Sequence, residues 1–165
     1  MHILDERLDI RQTTVILESD LDYCIRQLSG AVRSNKASNQ GGYQGEPHRS
    51  RRYEYMWMPS LINAITEEVK KIKPTAELDR IWFNINRPGN SNSWHRHSSK
   101  ELVVVVYVTT HPDSGAIEFR QADATYSITP KPGDMLIFNG GIEHRVLENN
   151  SNIDRISIAC NYKFQ

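Results

Sequence analysis

Apolar and polar residues follow two different periodicities along the chain. Near the N-terminus a β-branched, apolar run predicts a strand over residues 13–17, and apolar residues at helical spacing predict a helix over 20–33, with Asp20 as its N-cap. A second helix is expected to begin at Ser60 and to end before Pro74, because its apolar positions fall on one face.

After Asp79 the pattern changes to period two, which is typical of half-buried strands. Turn-forming residues separate eight short apolar runs, which predict strands over 81–86, 94–97, 102–108, 116–120, 125–128, 135–138, 145–147 and 153–162. Because the helices precede these strands, we expect a mainly β fold, either a jelly roll or a barrel-like sandwich. The two N-terminal helices are expected to pack on the outside of one sheet.

The length of 165 residues suits one domain with a well-formed core. We expect residues 80–165 to form the jelly-roll core, while 13–79 contribute the N-terminal strand, the helices and a long loop. This loop, residues 34–59, is rich in turn formers and is our candidate for a lid or substrate-recognition segment. Within it, Tyr43 and Gln44 are predicted to contact substrate.

The charge composition narrows the choice of partners. Twenty Lys and Arg residues balance twenty Asp and Glu residues, which argues against nucleic acid or an acidic membrane as the main partner. A small neutral or anionic substrate fits better. No apolar run approaches the roughly 20 residues that a membrane span requires, so we expect a soluble protein. A sandwich with open edge strands could also pair as a homodimer.

The candidate chemistry lies in three histidines and an Arg-x-Ser pair. His95 and His97 alternate on a predicted strand, so both imidazoles should project from one face and can bind one metal ion. His144 follows a later strand and a tight turn, where it could supply a third ligand. Arg155 and Ser157 also alternate and present a guanidinium and a hydroxyl on one face, a combination suited to a carboxylate.

With these residues the sequence resembles the Fe(II)- and 2-oxoglutarate-dependent dioxygenases, in particular small phage and marine-bacterial proteins related to prolyl 4-hydroxylases. The resemblance extends over most of the chain and rests on residues 34–44, 82–89, 95–97, 132–134 and 154–161, together with Tyr107, Ser114, Gly115, Phe138 and His144. It implies a double-stranded β-helix, which is a cupin-like jelly roll. It also implies a hydroxylase that couples oxidative decarboxylation of 2-oxoglutarate to succinate with C–H oxidation by dioxygen. The expected substrate is a small molecule or a side chain, and the expected location is the cytoplasm, of the host if the protein is phage-encoded.

The resemblance also implies roles for individual residues. His95 and His144 would bind Fe(II). The residues expected to bind the 2-oxoglutarate cosubstrate are Arg155, Ser157, Tyr107 and Asn84. The residues expected to contact the substrate are Asn86, Tyr43 and Gln44.

His97 departs from the family pattern, which usually has Asp or Glu at this position. Imidazole suits iron, and the 2-oxoglutarate dianion would supply the missing negative charge, so we expect His97 to be the third metal ligand. It could instead support the site without binding metal, which would leave a two-histidine site completed by water.

Two alternatives stay open at this point. Gly89, His95, His97 and Glu101 also reproduce the first half of the cupin metal motif, in which Glu101 and the later histidine would complete the ligand set. That interpretation describes a metalloenzyme that does not use 2-oxoglutarate, and it gives Arg155 no role. The chain could also be a non-catalytic jelly-roll binding module. The sequence does not identify the substrate, because loop shape decides it.

Overall fold

The computed structural model describes residues 1–5, 9–17, 21–22, 25, 38–44, 48–49 and 58–165. Helix α1, Pro59–Ile72, follows the N-cap residue Met58, so the helix begins one residue earlier than the predicted cap at Ser60. Pro59 suits this first position because its fixed φ is helical and its missing N–H would have had no partner there. Lys70 and Lys71 occupy the last turn, where positive charge is favourable.

The prediction of two N-terminal helices is only partly confirmed. The described residues contain one helix with defined bounds, α1, and most of the first predicted helix, residues 20–33, lies outside them. Leu21 and Ile25 are described, and both are buried in the same apolar cluster as Leu61 and Ile65 of α1.

The described part of the chain contains thirteen strands, consistent with a mainly β fold. Their bounds are β1 His2–Asp5, β2 Ile10–Thr14, β3 Asn39–Gln40, β4 Tyr43–Gln44, β5 His48–Arg49, β6 Glu77–Asn86, β7 Ser91–His95, β8 Glu101–Thr109, β9 Ile117–Gln121, β10 Ala124–Ile128, β11 Asp134–Asn139, β12 Glu143–Val146 and β13 Arg155–Lys163. Each of the eight strands predicted after Asp79 overlaps one of these. The strand predicted over 13–17 lies earlier, as β2.

The strands form two antiparallel sheets. The larger has the order β1-β2-β11-β8-β13-β6-β4, with β5 also paired to β6, and the smaller has the order β10-β9-β12-β7-β3. One apolar cluster joins α1 to the outer face of the larger sheet, and a second lies between the sheets around Phe119 and Phe138. Alternation along β13 therefore sends Ile156 and Ile158 toward the helix and the neighbouring side chains toward the smaller sheet.

The segment predicted as a loop, residues 34–59, contains regular structure. Where it is described, its backbone forms the two-residue strands β3, β4 and β5, which extend the sheets along the edges of β7 and β6. Turn-forming composition concealed these strands, because their pairing partners lie far along the sequence. No helix in the described part of the chain is long and apolar enough to cross a membrane.

Candidate active site

Three histidines meet at one end of the space between the sheets. His95 of β7 and His144 of β12 are direct partners across an antiparallel pair, with ring centroids 4.2 Å apart. His97 lies two residues beyond the end of β7, not on the strand as predicted, and its backbone N–H donates to the Gly140 carbonyl at 2.7 Å. The nitrogens that the three rings offer all lie within 4.8 Å of one another, close enough to hold a metal ion.

Backbone hydrogen bonds orient two of the rings. His95 Nδ1 donates to the Ser93 carbonyl at 2.8 Å, and His144 Nδ1 donates to the Ile142 carbonyl at 2.9 Å. With the proton on Nδ1, the unprotonated nitrogen of each ring is Nε2. Hydrogen bonds of this kind fix the tautomer of metal-binding histidines in many proteins.

Burial also keeps the rings neutral. It lowers the pKa of His95, lowers the pKa of His97 to about 4 and lowers the pKa of His144 to about 3. The mutual repulsion of the rings, were they charged, lowers the pKa values of His97 and His144 further. Because only a neutral imidazole binds a metal, burial keeps all three rings in the charge state that a metal ligand requires at physiological pH.

Arg155 lies at the other end of the same pocket and is buried, with 2% of its surface exposed. Its Nη1 donates to the carbonyls of Ser114 at 2.5 Å and Gly115 at 3.0 Å, which hold the guanidinium in place. Its Nη2 is buried and has no hydrogen-bond partner among the described residues, and the same is true of the hydroxyl of Tyr107. Two buried donors thus lie in the pocket wall with hydrogen-bonding capacity to spare.

Burial has opposite effects on the two pKa values but leaves both groups protonated. It lowers the pKa of Arg155 to about 10, so the guanidinium remains a cation at physiological pH. It raises the pKa of Tyr107, which keeps the phenol neutral and able to donate. The interaction with Tyr107 partly offsets the effect of burial on the pKa of Arg155. This end of the pocket is therefore suited to an anion.

The strand register places further polar residues beside this cation. Tyr107 of β8, Ser157 of β13 and Asn84 of β6 form one row across three neighbouring strands, and Arg155 pairs with Asn86 in the adjacent row. The side chains that line the pocket are Ser38, Trp82, Asn84, Asn86, Asn92, His95, His97, Val103, Val105, Tyr107, Ile117, His144, Val146, Arg155, Ser157 and Ala159.

Most of the predicted site residues come together in this pocket. Its lining includes the three histidines, the four predicted cosubstrate residues and Asn86. Asn86 Nδ2 also donates to Asn92 Oδ1 at 3.3 Å. Tyr43 and Gln44 pair through their backbones with Ile85 and Asn84, so β4 lies at the edge of the strand that carries the two asparagines.

Glu101 is not part of the metal-binding group. Its buried carboxylate accepts hydrogen bonds from Arg80 Nη2 at 3.2 and 3.4 Å and from Asn161 Nδ2 at 2.8 Å. The cupin interpretation required Glu101 beside the histidines as a ligand. Spacing in the sequence suggested that role, but Glu101 begins β8 opposite Lys163 of β13, where its partners are the residues of the larger sheet.

The sequence interpretation missed two residues beside His97. Trp82 stacks on the His97 ring with centroids 6.2 Å apart, and Asn161 Nδ2 lies 3.1 Å from His97 Nδ1. A signal for both was available, because period two extends the pocket face from Asn84 back to Trp82 and from Ser157 forward to Asn161.

Comparison with known proteins identifies the class to which this fold and pocket belong. The family model of the 2OG-Fe(II) oxygenase superfamily matches residues 81–163, and the chain belongs to this superfamily, whose members are oxidoreductases that depend on Fe(II) and 2-oxoglutarate. No curated protein matches the chain.

Solved structures give the same fold. A prolyl-4-hydroxylase from Pseudomonas putida is 16% identical, with a TM-score of 0.69 over 96% of this chain and 94% of that chain. A viral collagen prolyl hydroxylase from Paramecium Bursaria Chlorella virus-1, solved with 2-oxoglutarate, is 16% identical, with a TM-score of 0.66 over 94% and 96%. HygX from Streptomyces hygroscopicus, solved with nickel and 2-oxoglutarate, is 10% identical, with a TM-score of 0.69 over 94% and 83%.

Proposed function

We propose that this oxygenase is a hydroxylase that uses His95, His97 and His144 to bind Fe(II) and Arg155 to bind 2-oxoglutarate. The observation that carries the proposal is that one pocket joins three neutral histidines to a buried arginine whose Nη2 has no hydrogen-bond partner among the described residues. The two ends match the two things the family requires, a metal and a dicarboxylate.

The donor set at the metal end fits iron. Imidazole is a good ligand for Fe(II). In the neutral rings of His95 and His144, Nε2 carries no proton and is the nitrogen available to a metal. His97 takes the place where the family usually has a carboxylate. The three histidine ligands therefore carry no charge, and the two negative charges of 2-oxoglutarate balance the two positive charges of Fe(II).

The polar end of the pocket fits the distal carboxylate of 2-oxoglutarate. Nη2 of Arg155 and the hydroxyl of Tyr107 supply two donors that are already desolvated and held in place, so little ordering is needed when the anion binds. Ser157 and Asn84, in the row that Tyr107 begins, supply further polar groups along the pocket wall. Arg155 would thus orient the keto acid so that its other end faces the histidines.

When bound, Fe(II) and 2-oxoglutarate supply the oxidative chemistry, in which dioxygen converts the keto acid to succinate and CO₂ and inserts one oxygen atom into a substrate C–H bond. The chain contributes position and exclusion of water. Val103, Val105 and Ile117 line the same pocket with apolar surface, which would limit the access of water to the reacting centre.

For the substrate we propose a small molecule or a side chain that reaches the pocket along the β4–β6 edge. Asn86 lines the pocket there, and the strand containing Tyr43 and Gln44 borders it. Similar structures include a prolyl-4-hydroxylase, an epimerase named SnoN and a carbocyclase named SnoK, so the shared fold is compatible with several substrates.

We further propose that residues 80–165 form the jelly-roll core of a single domain.

Anaerobic titration of the Fe(II)-loaded protein with 2-oxoglutarate tests this proposal. Chelation of iron by the keto acid should produce a visible metal-to-ligand charge-transfer band that saturates at one equivalent. Iron binding without such a band would contradict the assignment of 2-oxoglutarate as cosubstrate. A matched titration with succinate, which lacks the keto group, should give no band.

A further inference from the structure

His97 differs from the other two histidines in the partner of its Nδ1. His95 and His144 each direct Nδ1 at a backbone carbonyl, whereas His97 Nδ1 faces the side-chain amide of Asn161, whose Nδ2 lies 3.1 Å away. Asn161 has none of its surface exposed. A fully buried amide directed at a ring nitrogen can control the position of that ring.

A buried carboxylate holds the Asn161 amide in turn. Nδ2 of Asn161 also donates to Glu101 Oε2 at 2.8 Å, and Arg80 Nη2 holds Glu101 from the opposite side. Glu101 is 4% exposed, so Arg80 and Asn161 stabilise a charge that would otherwise be costly to bury. The other end of the amide, Oδ1, is buried without a hydrogen-bond partner among the described residues.

We propose that Asn161 is the positioning residue for His97 as a metal ligand, and that Glu101 acts on His97 through Asn161. This inference rests on the proposed role of His97 in binding the metal. An imidazole that binds metal through Nε2 carries its proton on Nδ1 and needs an acceptor there. A half-turn of the Asn161 amide brings its Oδ1 to that position.

The half-turn gives the Nδ1–H of His97 an acceptor, but it removes the hydrogen bond that Nδ2 donates to Glu101 and brings Oδ1 toward the Glu101 carboxylate, so it carries an electrostatic cost. In this structure Asn161 Nδ2 donates a hydrogen bond to Glu101, and His97 Nδ1 accepts one from the same amide. In the metal-binding arrangement Asn161 Oδ1 accepts a hydrogen bond from the Nδ1–H of His97, and Glu101 keeps the hydrogen bonds from Arg80. The pair of residues at positions 101 and 161 therefore determines how readily His97 joins His95 and His144 on a metal.

A purely structural role for the same residues makes a different prediction. If Asn161 and Glu101 only satisfied each other inside the larger sheet, replacing Asn161 would weaken the fold whatever residue stood at position 97. If Asn161 acts through the Nδ1–H of His97, the effect on metal affinity requires a histidine there. In the H97D background the ligand is a carboxylate with no such proton, and Asn161 should lose its influence on the metal.

Titration with Co(II) alone, followed by its visible d–d absorption, measures this dependence without any turnover. Asn161→Leu, which keeps the approximate volume and removes the hydrogen bonds, should weaken Co(II) binding by about 10- to 100-fold in the parental background. The same change in the H97D background should leave Co(II) affinity nearly unaltered. Equal losses in the two backgrounds would overturn the proposal.

A charge-conserving swap supplies a second, independent test. The double variant Glu101→Gln with Asn161→Asp exchanges the amide and the carboxylate, so the acid now faces His97 and the amide donates to it. We expect this variant to bind Co(II) at least as tightly as the parent, because no half-turn is needed. A loss like that of Asn161→Leu would contradict the hydrogen-bond account, and the swap decides the question even if Asn161→Leu does not fold.

Two controls separate this inference from the proposed function. Glu118→Gln removes a carboxylate that likewise pairs with an arginine, Arg145, but on the smaller sheet, and it should leave Co(II) affinity unchanged. A parent that binds Co(II) but forms no charge-transfer band with Fe(II) and 2-oxoglutarate would contradict the proposed function alone. If His97→Ala leaves Co(II) affinity unchanged, His97 is not a ligand and this inference fails.

Discussion

His95 and His144 face each other across the hydrogen-bonded pair of β7 and β12, and their ring centroids lie 4.2 Å apart. The same row continues to Phe119 on β9, and the edge of the Phe138 ring packs against His144. Strand pairing and packing thus hold two of the three rings, while His97 depends on a hydrogen bond to Gly140 and on the Asn161 amide. His95 and His144 are therefore paired across two strands, and His97 joins them from beyond the end of β7.

His95 and His144 should be indispensable for metal binding. We expect His144→Ala to eliminate the binding of Fe(II), because the remaining rings no longer converge on one ion from both strands. Iron content after anaerobic desalting measures this. His111→Ala, which alters a half-buried histidine on a loop, is the matched control and should retain iron. If the His144 variant folds and keeps its iron, the assignment of the metal site is wrong.

Arg155 should control binding of the keto acid without affecting the metal. Arg155→Met keeps an unbranched chain but removes the charged donor, and hydrogen bonds to charged groups are worth about 1.5–3 kcal/mol each. We therefore expect 2-oxoglutarate affinity to fall by at least about tenfold, while Fe(II) binding is kept.

Tyr107→Phe should have a smaller effect of the same kind, since it removes only one neutral donor from the anion. The charge-transfer band reports both variants when 2-oxoglutarate is varied at fixed iron. Parental 2-oxoglutarate affinity in the Arg155 variant would show that the carboxylate binds elsewhere.

Local sequence patterns predicted the strands and the faces of the site residues well, because alternation is a property of each strand by itself. Ile156 and Ile158 turn to the helix while Arg155 and Ser157 turn to the pocket, as period two requires. The fold class followed from strand number and order in the same way.

What local patterns did not reveal depends on contacts between distant segments. The short strands β3 to β5 exist only because β6 and β7 offer edges for pairing. Glu101 matched a ligand spacing, but the pairing of β8 with β13 directs it to Asn161 and Arg80. Neither the pairing of these short strands nor the partners of Glu101 can be predicted from residues that are close together in the sequence.

Gly115 should be required for the position of the Arg155 guanidinium. Its φ is +91°, and an added Cβ would lie 2.2 Å from the Leu147 carbonyl oxygen and 2.8 Å from Arg155 Nη1. We expect Gly115→Ala to lower both the free energy of unfolding and the affinity for 2-oxoglutarate, because the carbonyls around Nη1 must move.

Gly89→Ala is the matched control for this change. Gly89 has a similar φ of +82°, but no atom in the described part of the chain lies within 4 Å of the added Cβ. Its variant should lose only the roughly 1–2 kcal/mol of a left-handed backbone and keep its affinity for 2-oxoglutarate. Urea unfolding and the charge-transfer titration together measure the difference. Equal behaviour of the two variants would mean that the close approach at Gly115 has no bearing on Arg155.

The metal-free protein should lose stability as the pH falls below about 6.5. Burial lowers the pKa of His97 to about 4 and of His144 to about 3, from an ordinary value of 6.5. Between pH 6.5 and 4 the unfolded chain therefore takes up protons that the folded chain does not, so the free energy of unfolding falls as the pH falls. Each histidine contributes at most about 1.4 kcal/mol per pH unit in this window.

Urea unfolding of the metal-free protein at several pH values between 7.5 and 4.5 would measure this slope, with carboxylates contributing mainly at the acid end. His144→Gln removes one of the three imidazoles whose pKa burial lowers and should make the decline between pH 6.5 and 5 shallower, whereas His111→Gln should leave the decline as steep as in the parent. A parental decline that begins only below pH 5, or that His144→Gln does not alter, would show that protonation of these rings does not limit stability.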